Sequence, residues 1–322
     1  MNFTESEIMP YKIGGLLYTP ATNQTIAEKI KTKSIGNLTS IVFCLEDSIG
    51  NTELTVAESN LKKTLIQLKD AEVLPCIFVR VRTPEHLEQL IQTLNSEINI
   101  LTGFVFPKFD ESNLSDYFRI TEKINACTSK PKYIMPIIES RVIAKCNHRG
   151  EKLEELRKMM EPMKELILNV RVGGNDFSNL YGLRRNIHQN IYQIGVVRDI
   201  LIDILNVFAD DYVVSGPVWE YYENGTDDLW KVGLKKELEL DRLNGFIGKT
   251  AIHPSQLPVI CESLMPSAND YNDAEAIVNW NTRSGVKGSC DGKRMNEVKT
   301  HIKWATKTYI LGNIYGVKDK RI

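Results

Sequence analysis

Two runs decide the fold: Tyr133-Ile134-Met135-Pro136-Ile137-Ile138, followed by Glu139-Ser140, and Leu166-Ile167-Leu168-Asn169-Val170-Arg171-Val172, followed by Gly173-Gly174-Asn175-Asp176. Each is short and almost wholly apolar, the pattern of a strand buried on both faces, and each has an acid just past its end. Between them, residues 150–160 set Leu153, Leu156 and Met159 or Met160 at helical spacing. Lys132 to Ser178 therefore reads as a strand, a helix and a second strand. Parallel α/β folds place their chemistry at the carboxyl ends of strands, so Glu139 and Asp176 are expected to converge on one site. Oxygen donors of this kind suit Mg²⁺, with water completing the shell, better than zinc.

Working outward, the same unit recurs. Apolar runs at 14–19, 40–45, 75–81, 103–106, 212–215 and 246–252 read as six further strands. Helical patterns at 23–33, 54–68, 84–94, 189–209 and 228–242 alternate with them. Eight rounds in about 250 residues is the extent of a (β/α)8 TIM barrel, assigned here to residues 1–256. An open doubly wound sheet is the competing architecture, but no linker or compositional break precedes Leu257. Residues 257–322 form a C-terminal helical extension with a Gly/Ser/Lys-rich interruption at Ser284 to Lys293. That extension reads as a lid or an intersubunit arm.

The 322 residues are 42% hydrophobic and 25% charged, with a net charge of −1, a globular balance without the basic footprint of a nucleic-acid or membrane-surface binder. The basic pair Arg184-Arg185 reads as solvated surface. Six cysteines (Cys44, Cys76, Cys127, Cys146, Cys261, Cys290) are scattered, with no CxxC pair and no zinc spacing, which points to a reduced, cytoplasmic protein. No run reaches the ~18 apolar residues of a membrane span.

In the barrel, strand ends bring Glu46, Asp47, Arg80, Lys108, Glu139, Asp176 and His253 to one mouth. A single strand-end charge is more often solvated than catalytic; the clustering is what carries the argument. Four carboxylates facing one another raise each other's pKa unless cations intervene, and Arg80, Lys108 and a metal would relieve them. Glu139 and Asp176 are the metal-ligand pair, and Glu46 and Asp47 would accept hydrogen bonds from metal-bound water or move a proton. Arg80 offers a planar fork to a substrate carboxylate or a developing enolate, or else an ion pair to Glu46 or Asp47. Lys108, Gly174 and Asn175 are candidates for substrate contact. The Gly173-Gly174 pair lacks nucleotide-loop spacing and instead lets backbone approach a ligand or metal. His253, before Pro254, reads as structural.

Several of these pieces, in order, are similar to a known family. Leu17-Tyr18-Thr19-Pro20-Ala21, Leu45-Glu46-Asp47-Ser48-Ile49, Val79-Arg80-Val81, residues 103–108 (GFVFPK), Pro136-Ile137-Ile138-Glu139-Ser140, Gly174-Asn175-Asp176 and residues 248–256 (GKTAIHPSQ) resemble the citrate lyase β-subunit and malyl-CoA lyase group of the HpcH/HpaI aldolase superfamily. The chain looks most similar to its branch of TIM-barrel C–C bond lyases associated with tellurite-resistance clusters. The resemblance implies a (β/α)8 barrel, Mg²⁺ on Glu139 and Asp176, Arg80 at the reacting carbonyl, and reversible C–C cleavage through an enolate of a 2-oxo acid or acyl thioester. Cys44 replaces the family's usual leading acid. A late family aspartate that serves a neighbouring subunit falls in the region of Asn296-Glu297, which implies a homo-oligomer. Thioester hydrolysis on the same fold and a catalytically idle binding scaffold are the alternative functions.

Overall fold

The computed structural model describes residues 3–145, 147–281 and 285–318. Cys146 and Ser284 lie outside the described residues. Eight parallel strands, β1 (Gly15–Pro20), β2 (Ser40–Cys44), β3 (Cys76–Arg80), β4 (Gly103–Phe106), β5 (Tyr133–Ile138), β6 (Val170–Val172), β7 (Val214–Ser215) and β8 (Lys249–Ala251), pair in the order β7-β6-β5-β4-β3-β2-β1-β8. A parallel bridge between Gly216 and Lys249 joins the two ends of that order, so the sheet closes into a (β/α)8 barrel. The seam is tight at Gly248. Its φ is +74°, and a side chain there would start 2.2 Å from the Gly14 carbonyl oxygen.

Alternation along each strand sorts the two sides of the barrel wall. In β5, Ile134 and Ile138 face the surrounding helices while Met135 and Ile137 face the interior with Leu16, Val42, Phe78 and Val105. The outer ring comprises α2 (Ile26–Lys31), α3 (Leu54–Leu68), α4 (Pro84–Leu94), α5 (Leu114–Cys127), α7 (Arg149–Met160), α9 (Gly195–Phe208), α10 (Leu229–Asn244) and α11 (Gln256–Leu264). Leu61, Leu65 and Leu68 of α3 are fully buried against the sheet, each worth about 1.5–3 kcal/mol. Thr83 caps α4 by accepting from the His86 amide, with Pro84 in the first turn.

The structure departs from the sequence reading in several places. The expected helix over 189–209 splits at Ile194, where the backbone is extended, into a 3-10 turn (Ile191–Gln193) and α9. Leu114 to Cys127, left unassigned by the sequence reading, is α5. The Gly-rich loop after β6 becomes the first turn of α8 (Gly174–Leu180). Arg185 is not solvated surface: it is 3% exposed and bound to Glu237, whereas Arg184 is exposed. The tail holds α12 (Ala268–Val278), a hairpin of β9 (Val286–Gly288) and β10 (Met295–Glu297) where a flexible interruption was expected, and α13 (Val298–Tyr315).

That tail does not cap its own barrel's mouth. Helix α13 packs on α12, α11 and α1 (Glu5–Lys12). Tyr315 donates to the Tyr11 carbonyl (2.8 Å), and Lys303 pairs with Asp210 ahead of β7. Both contacts are at the amino ends of strands, so the tail closes the opposite end of the barrel and is no lid over this chain's site. Asn296 is buried beside Asp273, which also receives Arg294.

Candidate active site

The carboxyl ends of the strands open into a cavity of about 380 Å³, a size for a small metabolite. Arg80 enters from β3 because Phe78, two residues earlier, faces the interior. Its guanidinium is 3.2 Å from Glu139, 2.9 Å from Glu46 and 3.1 Å from Asp47. Burial works against that charge, but Glu139 first and then its other anionic neighbours, Glu46 among them, together outweigh it and hold Arg80 firmly in its charged form. The ion pairs expected of Arg80 with Glu46 and Asp47 are both present, and its position lines the cavity.

The loop carrying Glu46 and Asp47 is itself clamped. Arg82 donates to the carbonyls of Leu45 (2.6 Å) and Ile49 (2.6 Å), so two alternating arginines at the end of one strand divide the work. Burial pushes the Glu46 carboxyl above its ordinary range despite Arg80. Asp47, more exposed, feels the same burial but is held low overall by its hydrogen bond with Glu46, by Arg80 and by Lys108. Lys108 adopts a left-handed backbone (φ +47°), fixed by Asn113 donating to its carbonyl (2.9 Å). That turn aims its amide at Glu139 (3.0 Å) while its ammonium pairs with Glu46.

Glu139 is 5% exposed, and burial pushes its carboxyl up to about 8, against Arg80 and with help from Asp176. One oxygen, Oε1, is taken by Arg80 and the Lys108 amide. The other, Oε2, faces Asp176 across Gly173. A side chain on Gly173 would start 2.5 Å from Glu139 Oε2 and 3.1 Å from Asp176 Oδ2, so glycine is what allows these two oxygens to close on one point. Gly174 is buried against Pro217, and Asn175 is exposed at the rim. His253 stacks on Tyr222 (4.7 Å) and holds Ser255, as a structural histidine does.

The oxygens suit a hard divalent cation. Among the described residues no group of three or more His, Cys, Asp or Glu side chains is gathered to hold a metal, so any ion here would rest on the two carboxylates and water. Two cations, Arg80 and Lys108, meet four carboxyl groups, Glu46, Asp47, Glu139 and Asp176, an excess of acids over bases that a divalent ion would relieve.

Residues 7–317 match the family described as C-C bond lyase of the TIM-barrel fold. The chain belongs to that family. It is a carbon–carbon lyase, similar to human mitochondrial citramalyl-CoA lyase, with 22% identity over 267 residues, 82% of this chain and 74% of the relative. Among solved structures, a citrate lyase from Burkholderia xenovorans LB400 superposes with a TM-score of 0.69 at 12% identity, over 96% of this chain and 94% of that one. The protein CitE from Mycobacterium tuberculosis, in complex with magnesium, acetoacetate and coenzyme A, gives 0.60 at 16% identity, over 93% and 98%. At these identities the superpositions show a shared fold.

Among the cavity-lining residues that sequence reasoning missed are Tyr18, Arg171, Glu220 and Thr250. A signal existed. Asn169 and Arg171 are polar at a spacing of two in an otherwise apolar strand, which marks a polar inner face.

Proposed function

We propose that this lyase is Mg²⁺-dependent and cleaves a C–C bond through an enolate, on a 2-oxo acid or an acyl thioester. The observation that carries this reading is the approach of Glu139 and Asp176 over Gly173, beside Arg80 and with an excess of acids over bases. When bound, Mg²⁺ would supply Lewis-acid polarisation of a carbonyl oxygen and neutralise developing charge. Arg80 donates to the same oxygen from its fixed fork and stabilises the enolate as the bond breaks. The Glu46–Asp47 pair, one carboxyl raised and one lowered, takes the hydroxyl proton of the substrate in cleavage and returns a proton to the enolate carbon. The Lys108 ammonium, half exposed at the mouth, balances that pair; Asn175 and the backbone at Gly174 contact substrate at the rim.

The test is exchange of methyl hydrogens of pyruvate or acetyl-CoA for deuterium, followed by NMR with Mg²⁺ present. Exchange needs only the enolising half of the reaction. Mg²⁺-dependent exchange with either compound is the expected result, and its absence from both overturns the enolate reading. The five described cysteines are unpaired, which supports a reduced, cytoplasmic setting. Among the described residues no helix is long and apolar enough to cross a membrane. A homo-oligomer with Glu297 serving a neighbour's mouth belongs to the same reading, since Met295 and Val286 leave the hairpin apolar and exposed beside it. Light scattering that shows a monomer would remove it.

A further inference from the structure

Among the described residues five arginine and lysine side chains are buried, and two of them, Lys132 and Arg171, face no carboxylate. Arg80, Arg185 and Lys249 each face carboxylates, and Lys132 is bound by the carbonyls of Asn99 and Leu101. Arg171 is 1% exposed and faces none. Its partners are neutral: Thr250 Oγ1 at 2.7 Å, Asn169 Oδ1 at a long 3.4 Å, and the Tyr18 hydroxyl. Its Nε is buried with no hydrogen-bond partner. Arginine cannot shed its charge, and an uncompensated buried ion costs several kcal/mol. A cation retained under those conditions lacks its anion.

The position says where that anion comes from. Val170 and Val172 face the helices, so Arg171 faces the interior, and it lines the same cavity as Arg80 and Glu139. Arg171 is in register with Ile137, two residues before Glu139. It therefore lies one inward-facing layer below the Glu139 and Asp176 carboxylates, roughly 6–7 Å down the barrel. Around it Tyr18, Ile137 and Thr250 complete the floor of the cavity.

We propose that Arg171, oriented by Thr250, Asn169 and Tyr18, binds a second carboxylate of the substrate, and that the substrate is a short dicarboxylate with one end at the mouth and the other on the barrel floor. The planar guanidinium matches a carboxylate, and a site built around a buried charge rejects analogues that leave it unpaired. Specificity for dianions is thus a property of the floor, separate from the reacting groups above it. The proposal rests on the mouth being the reaction site, and its test is arranged so that the two can fail independently.

The experiment is calorimetric binding of succinate and of butyrate, a matched dianion and monoanion, to the full chain with Mg²⁺ and again with EDTA. The wild-type chain is expected to prefer succinate at least tenfold. Arg171→Met abolishes that preference while its Mg²⁺ affinity stays unchanged. Thr250→Val, which releases the guanidinium without removing it, reduces the preference about threefold; with Arg171→Lys it carries the test if the methionine variant does not fold. A preference that persists in EDTA and vanishes in Arg171→Met supports the anion site even if the metal reading fails. Equal affinity of the wild-type chain for both acids, or a preference intact in the Arg171 variants, overturns the proposal.

Discussion

Two buried charge clusters lie on opposite sides of this barrel, and they are built to different ends. In the first, Lys249 bridges Glu237 (2.9 Å) and Asp241 (2.7 Å), and Arg185 meets Glu237 (2.9 Å). The Ile191 amide donates to Glu237 and the Tyr192 hydroxyl to Asp241. Two cations meet two buried carboxylates where β8 faces α10, and Arg185 also comes within 3.5 Å of the half-buried Glu220 at the cavity's edge. In the second, at the mouth, two cations meet four carboxyl groups around a cavity. The first cluster, buried, ties β8 to α10; the second, open to the cavity, gathers more acids than bases. A buried charge is therefore informative about function mainly through what is missing from its surroundings.

The contrast predicts opposite consequences for removing a charge. The largest effect on stability belongs to Lys249→Met, which leaves the buried Asp241 without a cation and Glu237 with Arg185 alone, and should cost about 3–5 kcal/mol by urea unfolding. If that variant is as stable as the wild-type chain, the β8–α10 cluster does not stabilise the fold. At the mouth the loss is of rate. Arg80→Lys keeps the charge but not the fork, and a fall in turnover of about 10²–10³-fold is expected with little change in melting temperature. Near-normal turnover would reduce Arg80 to an ion-pair partner.

A third comparison uses pH. Below about 4.5 Glu139 is protonated in both folded and unfolded chains, so its contribution is at its most favourable and does not vary with pH. Between there and about 8 the folded chain keeps its proton while the unfolded chain loses it, so metal-free stability falls as pH rises through that window and levels off above it. Urea melts in EDTA from pH 5.5 to 8.5 should show the slope, and Glu139→Gln should flatten it. The smallest change is Gly173→Ala, which brings a methyl group to 2.3 Å from Glu139 Cβ. Its expected cost is about 1–3 kcal/mol of stability with a weakened Mg²⁺ site. An unaltered Mg²⁺ affinity would show that the close approach of the two acids is incidental.

Much of this could be read from the chain because strands buried on both faces leave continuous apolar runs. Glu139 and Asp176 follow such runs directly, as do Arg80 and Lys108. The strands after β5 are shorter than their apolar runs: Leu166 ends a 3-10 turn, and Phe246 and Ile247 are buried before β8 begins. Hydrophobicity reports burial there, whereas pairing depends on where the neighbouring strand is. Helix α8 escaped notice because two glycines read as a loop, yet the backbone after β6 turns straight into a helix. Arg185 and Arg171 were passed over for one physical reason. A charge in a sequence looks solvated until a fold encloses it, and only three-dimensional neighbours reveal that Arg185 faces carboxylates while Arg171 faces none.

Calorimetric titration of Mg²⁺ into the metal-free chain and into its Glu139→Ala and Asp176→Ala variants tests the central claim most directly. One binding site in the wild-type chain and none in either variant, with all three equally folded by circular dichroism, is the predicted result. Undiminished Mg²⁺ binding in both variants would contradict it.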